Sequence, residues 1–202
     1  MIILISIIIL IFSVIIHEVA HGFMAEYLGD PTARLQGRLT LNPLKHLDPV
    51  GSIIVPLITS LAGFTFGWAK PVEFNPYNLK NRRQGEFLIA LAGPLSNLLL
   101  ALIFGIVIRV AIGSSQISMP FVEMASYIVL INIILAVFNL IPLPPLDGSK
   151  LLFAWLPEQY GRARLIMETY APLFILVVVF FLWQVISPVI PYIYSLITGI
   201  AL

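Results

Sequence analysis

Sixteen residues without a charge, Met1 to Ile16, run directly into His17-Glu18-Val19-Ala20-His21, and the apolar segment closes at Ala25. About 20 apolar residues are needed to cross the hydrocarbon core of a bilayer. In that medium every backbone N–H and C=O must find a partner within the protein, which leaves helices or closed barrels as spanning forms. Met1–Ala25 therefore reads as a spanning helix. Two imidazoles and a carboxylate are costly to bury there, and polar groups held at such cost are functional candidates.

The rest of the chain is of the same kind. Of its 202 residues 59% are hydrophobic and 10% are charged, against about 25% charged in a soluble domain. A net charge of +1 offers nothing to nucleic acid. Cysteine is absent, so disulfides and thiolate chemistry are excluded, and metal ligands must come from Asp, Glu and three His. The N-terminus has no basic n-region and no small-residue cleavage site, so a cleaved signal peptide is not expected. No internal repeat or low-complexity tail is present. The chain reads as one integral membrane domain, 1–202, with a core over about 1–155 and C-terminal membrane segments over about 165–202.

Further apolar segments are Val50–Phe66, short and interrupted by Pro56 and Gly63, then Phe87–Ala111, Phe121–Ile141 and Pro172–Leu202. The expected fold is an all-α polytopic membrane protein, a three-helix core plus C-terminal helices. A small membrane-associated β element is expected as well. Arg34–Leu41 alternates polar and apolar, which reads as a strand. Trp68–Phe74 is its candidate partner, confined to an edge by Pro71. An extended peptide could add to such an edge.

Basic residues set the orientation. The connection Ile112–Pro120 holds no Lys or Arg, whereas Lys150–Tyr170 and the stretch between the first and third segments hold ten of them. Lys and Arg accumulate on the cytoplasmic side. If Val50–Phe66 does not cross, every basic connection falls inside. That segment is therefore expected to be re-entrant or surface-lying, between the first and second core helices, with the N-terminus outside.

Residues i and i+4 share a helix face, about 5–6 Å apart at Cβ. His17 and His21 can thus present ring nitrogens to one ion, while Glu18, rotated off that line, can reach an ion-bound water without ligating. Zinc lowers the pKa of such a water towards about 7, and a carboxylate can then take its proton. A third ligand is needed. Asp147 follows the helix-breaking prolines of Asn139-Leu-Ile-Pro-Leu-Pro-Pro-Leu-Asp147-Gly148 and is the leading candidate. Broken helix ends at membrane depth are where polar groups gather. Asp48 and Glu123, in or beside connections, are weaker candidates. His46 reads as a loop histidine, with a supporting or ligating role as the alternative.

His17-Glu18-Val19-Ala20-His21, Gly93-Pro94-Leu95-Ser96-Asn97 and Asn139 through Gly148, in that order, resemble the three signatures of the site-2 protease family of intramembrane zinc metalloproteases. The resemblance covers about residues 10–155. It implies proteolysis of transmembrane segments, one Zn2+ per chain held by His17, His21 and Asp147, and Glu18 as general base. It implies substrates that are single-span membrane proteins or signal-peptide remnants. Asn139 and Asn97 match family asparagines expected to line the site. By its chemistry Asn139 can donate to a carbonyl oxygen or oxyanion, or it can be a helix-packing amide. Asn97 is a substrate-binding candidate or, with Gly93-Pro94 and Ser96, a helix-packing one. Many relatives carry PDZ or CBS domains, and no stretch here is long or polar enough for either, so a minimal bacterial form in the cell membrane is expected. Two other classes are alternatives to a protease, a metal-ion transporter and a non-proteolytic membrane scaffold. A metal transporter would need a second set of ligands along a path. A non-proteolytic scaffold would have no need of Glu18.

Asp147 also constrains the topology. To meet His17 and His21, the first and fourth segments must end on the same side, which requires an even number of crossings between them. Phe87–Ala111 and Phe121–Ile141 supply two. This argument and the charge argument agree, and both put the site nearer the cytoplasmic face.

Overall fold

A computed structural model describes residues 2–48, 70–113, 118–157 and 160–201, with Gly51, Ile54 and Ile58 between the first two blocks. Val50–Phe66, expected to be re-entrant, lies almost entirely outside the described residues.

Three helices are long and apolar enough to cross a membrane. They are α1 (Ile2–Tyr27), α3 (Arg82–Gly113) and α4 (Met119–Asn139). At 1.5 Å per residue, each exceeds or matches the ~30 Å hydrocarbon core. Their bundle is the heart of the fold. Contacts between His17 and Asn97, and between His21 and Ile89, set α1 antiparallel to α3. Tyr27 and Arg82 therefore lie at the same end of the bundle, and so does the end of α4.

Small residues let these helices approach. The buried face of α3 runs through Gly85, Ala90, Gly93, Pro94, Asn97, Ala101, Gly105 and Ile108, whereas Leu99, Ile106 and Val110 point outward. With lipid as solvent there is no hydrophobic drive between helices, so close van der Waals fit at Gly and Ala holds them together. A Cβ at Gly105 would overlap Ile197. Around that point Ile108, Val129, Ile133, Ile190 and Tyr194 form one buried cluster.

After α4 the chain turns sharply through residues 140–146 into α5 (Asp147–Trp155). A Cβ at Gly148 would overlap the carbonyls of Leu140 and Ile141, so the return is tight enough to require glycine. The end of α5 is tied to the start of α3 by Arg83, whose guanidinium donates to the carbonyls of Ala154 and Leu156. Next come α6 (Gly161–Thr169) and α7 (Ala171–Val177), which continues through a π-helical turn at Val178–Leu182 into α8 (Trp183–Ile186). The chain breaks at Pro188, and α9 (Val189–Thr198) packs back on α3 and α4.

The expected strand at Arg34–Leu41 is not formed, and no strand occurs among the described residues. Thr32–Leu35 is a helical turn, α2, closed by Gly37 at φ +64 with Arg38 N–H bonded to the Ala33 carbonyl. Arg38 points inward, donating to the carbonyls of Lys45 and Pro71. The alternation reflects a loop pinned by one buried guanidinium. Residues 70–75, part of the expected partner strand, are irregular.

Asp30 anchors this connection. It is fully buried and accepts hydrogen bonds from Thr32 N and Oγ1, Asn75 N and Asn78 Nδ2 at 2.6–3.2 Å. Burial opposes its charge, but the hydrogen bonds from Thr32, Asn78 and Asn75 outweigh it and hold the carboxyl below its ordinary value of 3.8. A carboxyl depressed on folding contributes stability above its unfolded pKa, and that contribution fades as pH falls from 3.8 towards the folded value. Asp30→Ala is expected to cost about 2 kcal/mol at neutral pH, read as a lower melting temperature in detergent. Relative to wild type, Asp30→Asn should lose less stability between pH 5 and pH 3.

Candidate metal centre

Ser13, His17 and His21 follow one another at i, i+4 along the inner face of α1, all buried. The imidazoles meet edge to face, with centroids 4.6 Å apart. Nothing on α3 blocks them, because the residue opposite is Gly93: a Cβ there would overlap Nε2 of both rings. Asp147, on the first turn of α5, completes the group. Its Oδ2 lies 3.0 Å from His17 Nε2 and 3.0 Å from His21 Nε2, and the two Nε2 atoms are 3.0 Å apart. Its Oδ1 is held by Lys150 Nζ at 3.2 Å.

Hydrogen bonding decides what these three atoms can do. His21 Nδ1 lies 2.6 Å from the Ile89 carbonyl. A carbonyl only accepts, so Nδ1 carries the proton and Nε2 of the neutral ring is a bare lone pair. His17 Nδ1 lies 2.6 Å from Asn97 Oδ1. The Asn97 amide donates its Nδ2 to Asn132 Oδ1 and to the Ser13 carbonyl, so Oδ1 accepts and His17 Nε2 is bare as well. With both rings neutral, two lone pairs and a carboxylate oxygen therefore face one another. A cation relieves that repulsion. In a tetrahedron with ligands about 2.0–2.1 Å from zinc, neighbouring ligand atoms are about 3.3–3.4 Å apart, slightly wider than the spacing here. The donor set, N, N and O with both imidazole N–H groups bonded behind, fits zinc. Among the described residues this is the cluster of three or more such groups able to hold a metal ion.

Glu18 is one residue off the ligand line and half-buried. Its Oε2 accepts from the backbone N–H of Val72 at 2.8 Å. Val72 is itself buried and sits against Gly22, which has no side chain to push it away.

The sequence candidates are placed as follows. His17, His21 and Asp147 meet. Asn97 lies behind His17, fully buried with its amide engaged by His17, Asn132 and Ser13, so it faces a ligand and offers no surface to a substrate. Asn139, on the last turn of α4, donates its amide to the Leu135 carbonyl and makes no hydrogen bond to the cluster. Asp48 accepts from Gly51 N, Glu123 is exposed near the opposite end of α4, and His46 donates from Nε2 to the Thr40 carbonyl. None of the three belongs to the cluster. Ser13, Val72 and Asn132 went unnoticed in the sequence. The i, i+4 spacing of Ser13 to His17 and the polar amide of Asn132 within an apolar span were the available signals.

A buried His2Asp cluster beside a glutamate, set in a bundle of spanning helices, defines a membrane metallopeptidase. Residues 107–185 match the family model of peptidase family M50. Over 166 residues, 80% of this chain and 73% of the relative, the sequence is 41% identical to YwhC of Bacillus subtilis, provisionally named a zinc metalloprotease. It is 32% identical over 152 residues to Rip2 of Mycolicibacterium smegmatis, which bears the same provisional description, and 27% identical over 157 residues to zinc metalloprotease MJ0392 of Methanocaldococcus jannaschii. The chain covers 57% and 36% of those two proteins. No solved structure matches. The chain belongs to peptidase family M50, the site-2 protease family, and is a multi-pass membrane protein.

Gly93 gives a direct check on the geometry. Gly93→Ala is expected to separate the imidazoles and weaken zinc binding at least about tenfold, measured by chelator competition on purified protein. Gly113→Ala, where a Cβ meets nothing within 4 Å, should leave zinc binding unchanged.

Proposed function

We propose that this protein is an intramembrane zinc metalloprotease that hydrolyses peptide bonds within or near the transmembrane segments of single-span membrane proteins or signal-peptide remnants. The observation that carries the reading is the triangle of ligand atoms from His17, His21 and Asp147, with Glu18 beside it, inside helices of spanning length. One zinc ion bound there would acidify a water and polarise the scissile carbonyl.

The chain's own groups do the rest. Val72 N–H holds one oxygen of Glu18 and so orients the carboxylate. The other oxygen takes a proton from the attacking water and passes it to the leaving amine. Asn139 is assigned to the carbonyl oxygen of the substrate as a hydrogen-bond donor, a role that requires its amide to leave the Leu135 carbonyl. Asp147 keeps Lys150 at its outer oxygen, so a charge buried among the ligands is partly balanced. A substrate helix hides its carbonyls in its own hydrogen bonds, so it must open locally before water can attack.

The orientation follows from charge. Ten of the eleven Lys and Arg residues fall at positions 34–83 and 150–164, and Arg109 is the eleventh. By the positive-inside tendency the metal end of the bundle faces the cytoplasm of a cell membrane, with the start of α1 outside. Tyr27 and Arg82 lie at one end of the bundle, so the connection between them begins and ends on that side.

Glu18→Gln in detergent-purified protein is expected to slow cleavage of a single-span substrate by about 10²–10⁴-fold while zinc stays near one per chain, and a chelator should stop the wild type. Cleavage that survives Glu18→Gln overturns the mechanism. A compartment reporter placed after Asn78 should read cytoplasmic; a reading outside reverses the orientation.

A further inference from the structure

Asn132 sits in the middle of α4, fully buried within an apolar span, and never touches the metal cluster. An unpaired amide is expensive at that depth, and this one is fully engaged. Its Nδ2 donates to the Ile128 carbonyl at 2.9 Å and to Ser13 Oγ at 2.9 Å. Its Oδ1 accepts from Asn97 Nδ2 at 2.8 Å. The direction of the whole chain is fixed at its far end. The Ile128 carbonyl can only accept, so Asn132 presents Nδ2 to it and Oδ1 to Asn97. Asn97 must then present Nδ2 to Asn132 and Oδ1 to His17. His17 must carry its proton on Nδ1.

We propose that Asn132, with Ser13, is a positioning relay that acts through Asn97 to hold His17 in the tautomer whose Nε2 is free to bind zinc. The proposal rests on His17 being a ligand. Without Asn132, Asn97 loses the shorter of the two bonds that decide which way its amide points, 2.8 Å to Asn132 Oδ1, and keeps only the 3.3 Å bond to the Ser13 carbonyl. A flipped Asn97 would offer Nδ2 to His17, which then keeps Nδ1 bare and protonates Nε2, the tautomer that cannot ligate. His21 has no such weakness, because its Nδ1 proton is held by a backbone carbonyl that cannot flip. The two ligands are thus secured by different means, and the relay also links α1, α3 and α4 at one level.

The test uses Asn132→Leu, which keeps a similar volume and removes both donors and the acceptor. Zinc affinity by chelator competition is expected to fall about 10–100-fold. Nitrogen-15 NMR of histidine-labelled, metal-free protein should show His17 as the Nδ1–H tautomer in wild type and as a tautomer mixture in the variant, with His21 unchanged. Ser126→Ala is the control: it removes another bond between α4 and a neighbouring helix, the one to Tyr194, and should alter neither readout. If Asn132→Leu does not fold, Ser13→Ala carries the test, with an expected affinity loss of about three- to tenfold. Unchanged affinity and an unchanged His17 tautomer in the folded variant overturn the relay. The tautomer is read without metal or substrate, so a wild type that cleaves nothing would count against the protease reading and leave the relay to be decided by the spectrum.

Discussion

Two neutral imidazoles that turn their Nε2 lone pairs toward a carboxylate oxygen 3.0 Å away repel it and one another unless a cation sits among them. Much of the fold can be read as the means of holding that arrangement inside an apolar bundle. α1 supplies both histidines from one face, Gly93 on α3 gives the rings room, and the proline-rich turn after α4 delivers Asp147 at the right level. Each Nδ1 proton is bound from behind by an acceptor on α3. The centre is built from three separate stretches of chain, and a metal ion there would make their convergence favourable.

The same constraint orders the surroundings. A polar group at this depth must be paired, so the site is backed by groups that satisfy one another on three different helices: the Asn97 and Asn132 amides and the hydroxyl and carbonyl of Ser13. Asp147 has Lys150, and Glu18 has the Val72 backbone. Away from the metal, the bundle returns to ordinary membrane rules, with Gly and Ala at close helix contacts and large aliphatic side chains turned outward. At the metal end Arg82 and Arg164 pair with Glu86, and Arg83 caps the end of α5, so the basic residues are structural as well as topological.

Much of this was legible in the chain. The spanning helices follow from apolar runs too long for anything else, and the histidines share a face because helix periodicity requires it. The antiparallel course of α1 and α3 puts their site ends together. The strand at Arg34–Leu41 failed for a physical reason. Alternation marks a strand only where a partner offers an edge, and here Ala33 and Arg38 turn inward individually, the first against Gly22 and the second onto two loop carbonyls. Asn97 was a reasonable substrate contact as a motif residue, but nothing local reveals that its whole amide is taken by His17, Asn132 and Ser13.

The sequence by itself determined the membrane setting, the three spanning helices, the donor types and the side on which Asp147 had to emerge. These depend on composition, local periodicity and counting. Only the tertiary structure decided which nitrogen of each histidine carries a proton, that Gly93 is the space the rings occupy, and that Val72, Asn132 and Ser13 belong to the site. Those features are set by contacts between residues 35 to 130 positions apart, such as Asn97 with Asn132 and His17 with Asp147. Hydrogen-bond direction and close approach are properties of neighbours in space, and no local pattern along an apolar helix encodes them.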